Sequence, residues 1–296
     1  MVDVGLIAGI FFLLLRILLV GTERIFLTKN KLGKYNSILL TSLFFLVASF
    51  LLLPGLLLVP EDAYLPQNLK PILFVVFSSL FYAVGFYSYV KALSVEEASL
   101  IAPLYNSSLI WLLILSSIFL QDSLTVTRIG GGIIIFVGVF FLYSGSLREK
   151  YSAIINSKGS LIMIAGSVFL AIGRTIDAYA ISNANTVLYA IAMNFLVGVY
   201  LLVISVLKGY SKDIKTVLTR DWRNLLGAAI CNGWAYLFLL IAIIYLQVTV
   251  AEPASLLSLF VTAYLAKKFL GENVKERIPG IIIILLGSFL LFFDKF

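Results

Sequence analysis

Residues Glu97–Tyr143 read EASLIAPLYNSSLIWLLILSSIFLQDSLTVTRIGGGIIIFVGVFFLY. A long apolar run carries Pro103 near its start and Asn106, Ser107 and Ser108 in its middle. A polar turn follows, Gln121-Asp122-Ser123, and then a second apolar run rich in glycine. The same plan occurs once more, at Val248–Phe293, as VTVAEPASLLSLFVTAYLAKKFLGENVKERIPGIIIILLGSFLLFF. A shift of 150 residues places Pro103 on Pro253, Ser108 on Ser258, Leu120 on Leu270, Asp122 on Glu272 and Gly130 on Gly280. Upstream it places Ala92 on Ala242, Gly9 on Gly159 and Arg24 on Arg174. Apolar sequences match one another by chance at Leu and Ala. A proline, a glycine and an acidic turn at a single offset are much harder to obtain that way.

Of the 296 residues, 61% are hydrophobic and only 12% charged, and the mean hydropathy is +1.06. A soluble domain covers its surface with about a quarter charged residues, so most of this surface faces something other than water. Runs near 20 residues span a hydrocarbon core of roughly 30 Å as helices, and a spanning backbone must satisfy its own hydrogen bonds. The expected fold is therefore an all-α integral membrane protein. Asp3 and the lack of a basic leading segment argue against a cleavable signal peptide. One cysteine, Cys231, allows no internal disulfide, and no histidine is present to build a metal site or an acid–base relay. No cofactor or metal is expected. The net charge of +7 sits in short loops between spans, which points to membrane orientation and not to nucleic acid.

Ten spans are expected, at about Val4–Leu27, Ser37–Val59, Pro71–Leu93, Glu97–Leu120, Val126–Ser144, Gly159–Ile181, Thr186–Leu207, Trp222–Leu246, Val250–Leu270 and Ile278–Phe293. The longest polar connections fall near 60–70, 145–158 and 208–221. Seventeen of the 22 Lys and Arg lie at the ends joined by the loops after spans 1, 3, 5, 7 and 9. The positive-inside rule then puts both termini on the non-cytoplasmic side. Residues 1–146 form one five-helix repeat and 147–296 the other. Five is odd, so the second copy enters the membrane from the opposite side. Inverted repeats of this kind build secondary transporters, in which two pseudo-symmetric halves expose a central site alternately.

The paired spans, with their ALS…EASLIAPL opening, LQDSL or LGENV turn and glycine-bearing final helix, resemble the drug/metabolite transporter superfamily in its ten-helix EamA-type branch. The resemblance covers essentially the whole chain. It implies helices arranged around a central cavity, with spans 5 and 10 peripheral, and a small organic solute such as an amino acid or related metabolite as substrate. The turn glutamate of the family is matched by Glu272 and replaced by Asp122 in the first half. The first helix departs from the family: Arg16 stands where a tryptophan and small residues are often found.

Charges inside spans are costly and mark function by default. Arg16 lies between FFLLL and ILLV, so it is expected to face the bundle interior as an anion-binding group, or in a structural pair with Glu23. Arg174 and Asp177 are three residues apart and share a helix face; they border a polar cavity or neutralise each other. Glu23 and Arg24 read as an interfacial pair. Glu252 precedes Pro253, which loosens the helix, and is the proton-coupling candidate; Glu96 and Glu97 read as helix N-terminal charges. Ser79, Tyr82, Phe86 and Tyr89 form one stripe, and Asn232 and Tyr236 occupy the positions equivalent to Tyr82 and Phe86. Tyr105, Asn106 and Ser107 in span 4, and Ser255, Ser258 and Thr262 in span 9, add hydroxyls and an amide. Aromatic walls with a few such groups suit a small organic solute. Gly130, Gly131, Gly132, Gly138, Gly280 and Gly287 fit close helix approach. Tyr64, Tyr151, Tyr210 and Trp222 read as interfacial anchors.

The reading is a secondary transporter that moves a small, preferentially anionic metabolite across the cell membrane by alternating access, as a monomer or homodimer among membrane lipids. A flippase for a lipid-linked substrate is the rival within transport. A membrane-embedded lipid enzyme would need clustered nucleophiles, a metal or paired acids. A receptor or structural subunit would need no internal symmetry.

Overall fold

The computed structural model describes residues 4–28, 31–58, 70–119, 125–180, 185–246 and 248–293. Among them every regular element is helical: α1 (Val4–Phe26), α2 (Ser37–Leu51), α3 (Lys70–Leu93), α4 (Ala98–Tyr105), α5 (Ser108–Phe119), α6 (Val126–Phe140) and α7 (Leu147–Asn156). The chain continues through α8 (Lys158–Ala180), α9 (Thr186–Leu207), α10 (Ile214–Arg220), α11 (Trp222–Leu246), α12 (Val248–Ser255), α13 (Ser258–Leu265) and α14 (Ile278–Phe293). Short 3₁₀ turns and one wider π-helical turn, Ala266–Leu270, complete it. Among the described residues seven stretches are long and apolar enough to cross a membrane: α1, α2 with its extension to Leu57, α3, α4 with α5, α8, α9 and α11. α6 and α14 are shorter apolar helices. Tyr64 and the turn Gln121-Asp122-Ser123 lie outside the described residues.

Two connections expected to be irregular are helical. α7 starts from Ser146, whose hydroxyl accepts from Glu149 N while the Glu149 carboxylate accepts from Ser146 N. This reciprocal capping box satisfies two otherwise orphan donors. α10 occupies the other.

Spans 4 and 9, each carrying a proline expected to loosen it, are both broken in the middle. Between α4 and α5 the backbone tightens: Ser107 N donates to Leu104 O, Leu109 N to Asn106 O and Ile110 N to Ser107 O. Between α12 and α13, Leu257 N donates to Ala254 O, Leu259 N to Leu256 O and Phe260 N to Leu257 O. The two sets are the same three turns, 150 residues apart. Pro103 lacks an N–H and is followed by side chains that bond backward, Asn106 Nδ2 to Ala102 O and Ser107 Oγ to Leu104 O. Such local bonds compete with the regular ladder.

The packing comes in matched pairs. α1 packs on α11 and α3 on α8; α1 meets α13 and α5 meets α8; α2 packs on α9 and α6 on α14. The turn glutamate completes the frame, because Glu272 accepts from Ala98 N (3.0 Å) and Ser99 N (2.9 Å) at the start of α4. A carboxylate there satisfies orphan donors and the helix dipole together. Glu97 pairs with Arg277 (3.3 Å), and Glu96 accepts from Ser157. The dipole reading of Glu96 and Glu97 thus gives way to Glu272, supplied by the other repeat.

α6 and α14 cross backbone to backbone. A Cβ on Gly280 would lie 2.6 Å from Leu142 N, and one on Gly287 would lie 2.7 Å from Gly131 O. Gly130 meets nothing within 4 Å, so the packing role expected of it falls to its neighbours. Gly280→Val is expected to destabilise the protein by about 1–3 kcal/mol through overpacking. Thermal melting in detergent checks this, with Gly130→Ala as the control that melts like the wild type.

Candidate functional site

α1 turns one stripe inward. Leu13, Arg16 and Ile17 are buried while Phe11, Leu14 and Leu18 are exposed on the far side, as the 3.6-residue period requires. Continued along the helix, the stripe carries Val20, Glu23 and Arg24 to the same interior, next to the breaks in the two discontinuous helices. There the structure encloses a cavity of about 50 Å³. Its wall brings together Arg16, Tyr82, Tyr89, Asn106, Arg174, Asn232, Tyr236, Glu252 and Ser255, all singled out from the sequence. Phe86, Tyr105 and Ser258 join them.

Glu252 is the hub. Its Oε2 lies 3.9 Å from Arg16 Nη2 and its Oε1 lies 3.5 Å from Arg174 Nε. The other two nitrogens of each guanidinium also have partners. Arg16 Nε donates to Ser255 Oγ (2.8 Å) and Nη1 to Ala235 O (3.1 Å). Arg174 Nη1 donates to Ser108 Oγ (3.0 Å) and Nη2 to Tyr105 OH (3.1 Å). The Tyr105 ring lies under both Arg174 (5.4 Å) and Arg24 (5.8 Å), within cation–π range. The pairing of Arg16 with Glu23 considered from the sequence is replaced by one across the bundle, 236 residues away.

Arg174 and Asp177 do not neutralise each other. No ion pair within 4 Å joins them among the described residues. Asp177 instead accepts four hydroxyl hydrogen bonds: Ser78 Oγ (2.5 Å) and Tyr189 OH (2.6 Å) donate to Oδ1, and Tyr236 OH (2.7 Å) and Tyr82 OH (2.8 Å) donate to Oδ2. These donors come from α3, α9 and α11. Asp177 is not in the cavity wall; it stands behind Tyr82 and Tyr236, which are.

Glu23 and Arg24, expected at the interface, are buried and line the cavity. Arg24 Nη1 donates to Thr262 Oγ1 (2.9 Å) on α13. This mirrors the bond from Arg174, the residue 150 positions on, to Ser108 on α5. The repeat was the available signal, since it pairs Arg24 with a mid-span arginine. Asn232 bonds Asn194 (3.2 Å), and Ser79 bonds its own helix. Beyond the spans, the Lys34 ammonium and the Tyr35 hydroxyl hold the Asp221 carboxyl below its usual range, the hydrogen bond from Lys34 being the larger effect. Tyr151, Tyr210 and Trp222 are exposed. No three metal-binding side chains cluster among the described residues.

An all-helical bundle of membrane-length helices with two broken helices around a charged cavity defines a transporter-like membrane protein. The profile of the EamA-like transporter family matches the chain twice, over residues 7–144 and 157–293, and the chain belongs to that family. Membership implies a multi-pass membrane transporter of small solutes; such proteins are generally not enzymes. None of the curated proteins matches it. A crystal structure described only as that of a protein is similar in fold, with a TM-score of 0.62 at 13% identity over 99% of this chain and 98% of that one.

Proposed function

We propose that the protein is a secondary transporter of the cell membrane that moves a small organic solute carrying an acidic group, such as an amino acid or related metabolite. Its ten spans form two inverted five-helix repeats, 1–146 and 147–296, with both termini on the non-cytoplasmic side. The observation that carries this reading is the charge of the cavity wall: three arginines, Arg16, Arg24 and Arg174, face two glutamates, Glu23 and Glu252. The net positive charge lies where two discontinuous helices meet, the place where transporters bind solutes and coupling ions.

A small-molecule site has roughly 300–1,000 Å³, so the 50 Å³ cavity corresponds to a contracted state. The helix breaks at Asn106–Ser107 and Leu256–Leu257 are the natural hinges for opening, because little of the regular ladder has to be undone there. The aromatic wall of Tyr82, Phe86, Tyr89 and Tyr105 receives the apolar body of the solute. Exchange between openings on the two sides then constitutes alternating access.

Counterflow into liposomes with amino acids, sugars, nucleotides and organic cations tests the reading. Flux is expected for a solute with a carboxylate or phosphate, and Arg16→Gln is expected to lower it roughly 10- to 100-fold, the equivalent of one charge-assisted hydrogen bond. No flux or binding for any of these classes overturns transport; normal flux in a folded Arg16→Gln variant overturns the anion site.

A further inference from the structure

The two ends of the cavity differ in how fully their charges are satisfied. At one end Glu252 holds Arg16 and Arg174, and the other nitrogens of both have partners in Ser255, Ser108, Tyr105 and a carbonyl. At the other end Glu23 Oε1 is sealed from solvent and has no hydrogen-bond partner, and the same holds for Arg24 Nε. Glu23 is only 4% exposed. No cation lies within ion-pair distance of it among the described residues, although Arg16, Arg24, Tyr89 and Cys231 are close enough to sense its charge. Buried carboxylate oxygens are normally paired or hydrogen-bonded, and one left without a partner is costly.

We infer that Glu23 is the residue that receives a protonated amine of the transported solute. This rests on the transport reading above and adds a cationic requirement to it. A buried carboxylate with an oxygen that has no hydrogen-bond partner calls for a donor, and an ammonium brings three N–H groups together with positive charge. Glu252, which already faces two arginines, is poorly suited to that role. The adjacent free donor, Arg24 Nε, takes an acceptor of the same solute. Its Nη1 is anchored on Thr262 of α13, so binding at this end pulls on one of the two broken helices.

The test uses the purified full chain and two probes that share an aromatic body, phenethylamine and phenylacetate. Phenethylamine is expected to raise the melting temperature of the wild type, and Glu23→Gln is expected to weaken that response roughly 10- to 100-fold in concentration. Glu23→Gln without ligand is expected to melt higher than the wild type, because the cost of burying a carboxylate with an unpartnered oxygen has been removed; a merely structural glutamate would give the opposite sign. Glu23→Asp, which keeps the charge at shorter reach, is expected to retain a weakened amine response. The inference is overturned if millimolar phenethylamine leaves the wild type unmoved. It is also overturned if Glu23→Gln keeps the full amine response or melts lower than the wild type. Phenylacetate counterflow that persists in any of those cases shows that transport stands and only the amine site fails.

Discussion

Glu252→Gln is expected to abolish transport and to destabilise the protein by about 3–5 kcal/mol, the cost of removing one partner from a buried ionic network. Gln has almost the same shape as Glu, so the loss is one of charge. In the wild type a single carboxylate separates two guanidiniums at 3.9 and 3.5 Å. Without it Arg16 and Arg174 face each other across a small buried cavity and repel. The two arginines come from α1 and α8, and Glu252 from α12, so the repulsion forces apart helices of both repeats. Adding Arg16→Gln to Glu252→Gln removes one of the uncompensated charges. The double variant is expected to recover most of the melting temperature while staying inactive. A coupling free energy of about 0.5–3 kcal/mol is the range for residues in one such network. An inactive single variant with a wild-type melting curve would show that the hub binds solute without holding the bundle together.

Much of the frame was legible in the chain because its signals are one-dimensional. Apolar runs of membrane length, a proline and an acidic turn repeated at one offset require no knowledge of contacts. Arg16, Arg174 and Asp177 were legible for a related reason: a charge inside an apolar span has to face other protein. What could not be read was which charge meets which. Arg16 had Glu23 two turns away on its own helix, and its partner is Glu252 on α12. Arg174 and Asp177 have the spacing of a helical ion pair, yet α12 presents a carboxylate to the one while α3, α9 and α11 present hydroxyls to the other. Glu23 and Arg24 were misplaced at the interface because position along a span was taken for depth. The end of α1 packs against α13, and the cavity extends to it. Broken helices were also missed, since hydropathy is blind to a change from i→i+4 to i→i+3 bonding within an apolar run.

Asp177→Ala is expected to be among the most disruptive single changes in the second repeat. It removes the acceptor of four buried hydroxyls at once. A buried donor left unpaired costs about 1–3 kcal/mol; hydroxyls that rotate to other acceptors reduce the sum, giving about 3–5 kcal/mol in total. Asp177→Asn is expected to be milder, because the amide keeps one acceptor and only the two hydroxyls that lose theirs must turn. Tyr82→Phe and Tyr236→Phe each remove one bond to a charged group, costing about 1.5–3 kcal/mol. They also loosen rings that form the cavity wall, so transport is expected to weaken through a higher KM in both. A double-mutant cycle separates this arrangement from the helical ion pair. If Asp177 neutralised Arg174, Arg174→Gln would rescue Asp177→Asn, since neither charge would then remain. With Arg174 held by Glu252 and Asp177 by hydroxyls, no rescue is expected. Arg174→Gln is expected instead to couple to Glu252→Gln. Rescue of Asp177→Asn by Arg174→Gln would mean that the two side chains meet, and the hydroxyls around Asp177 would not be what holds its charge.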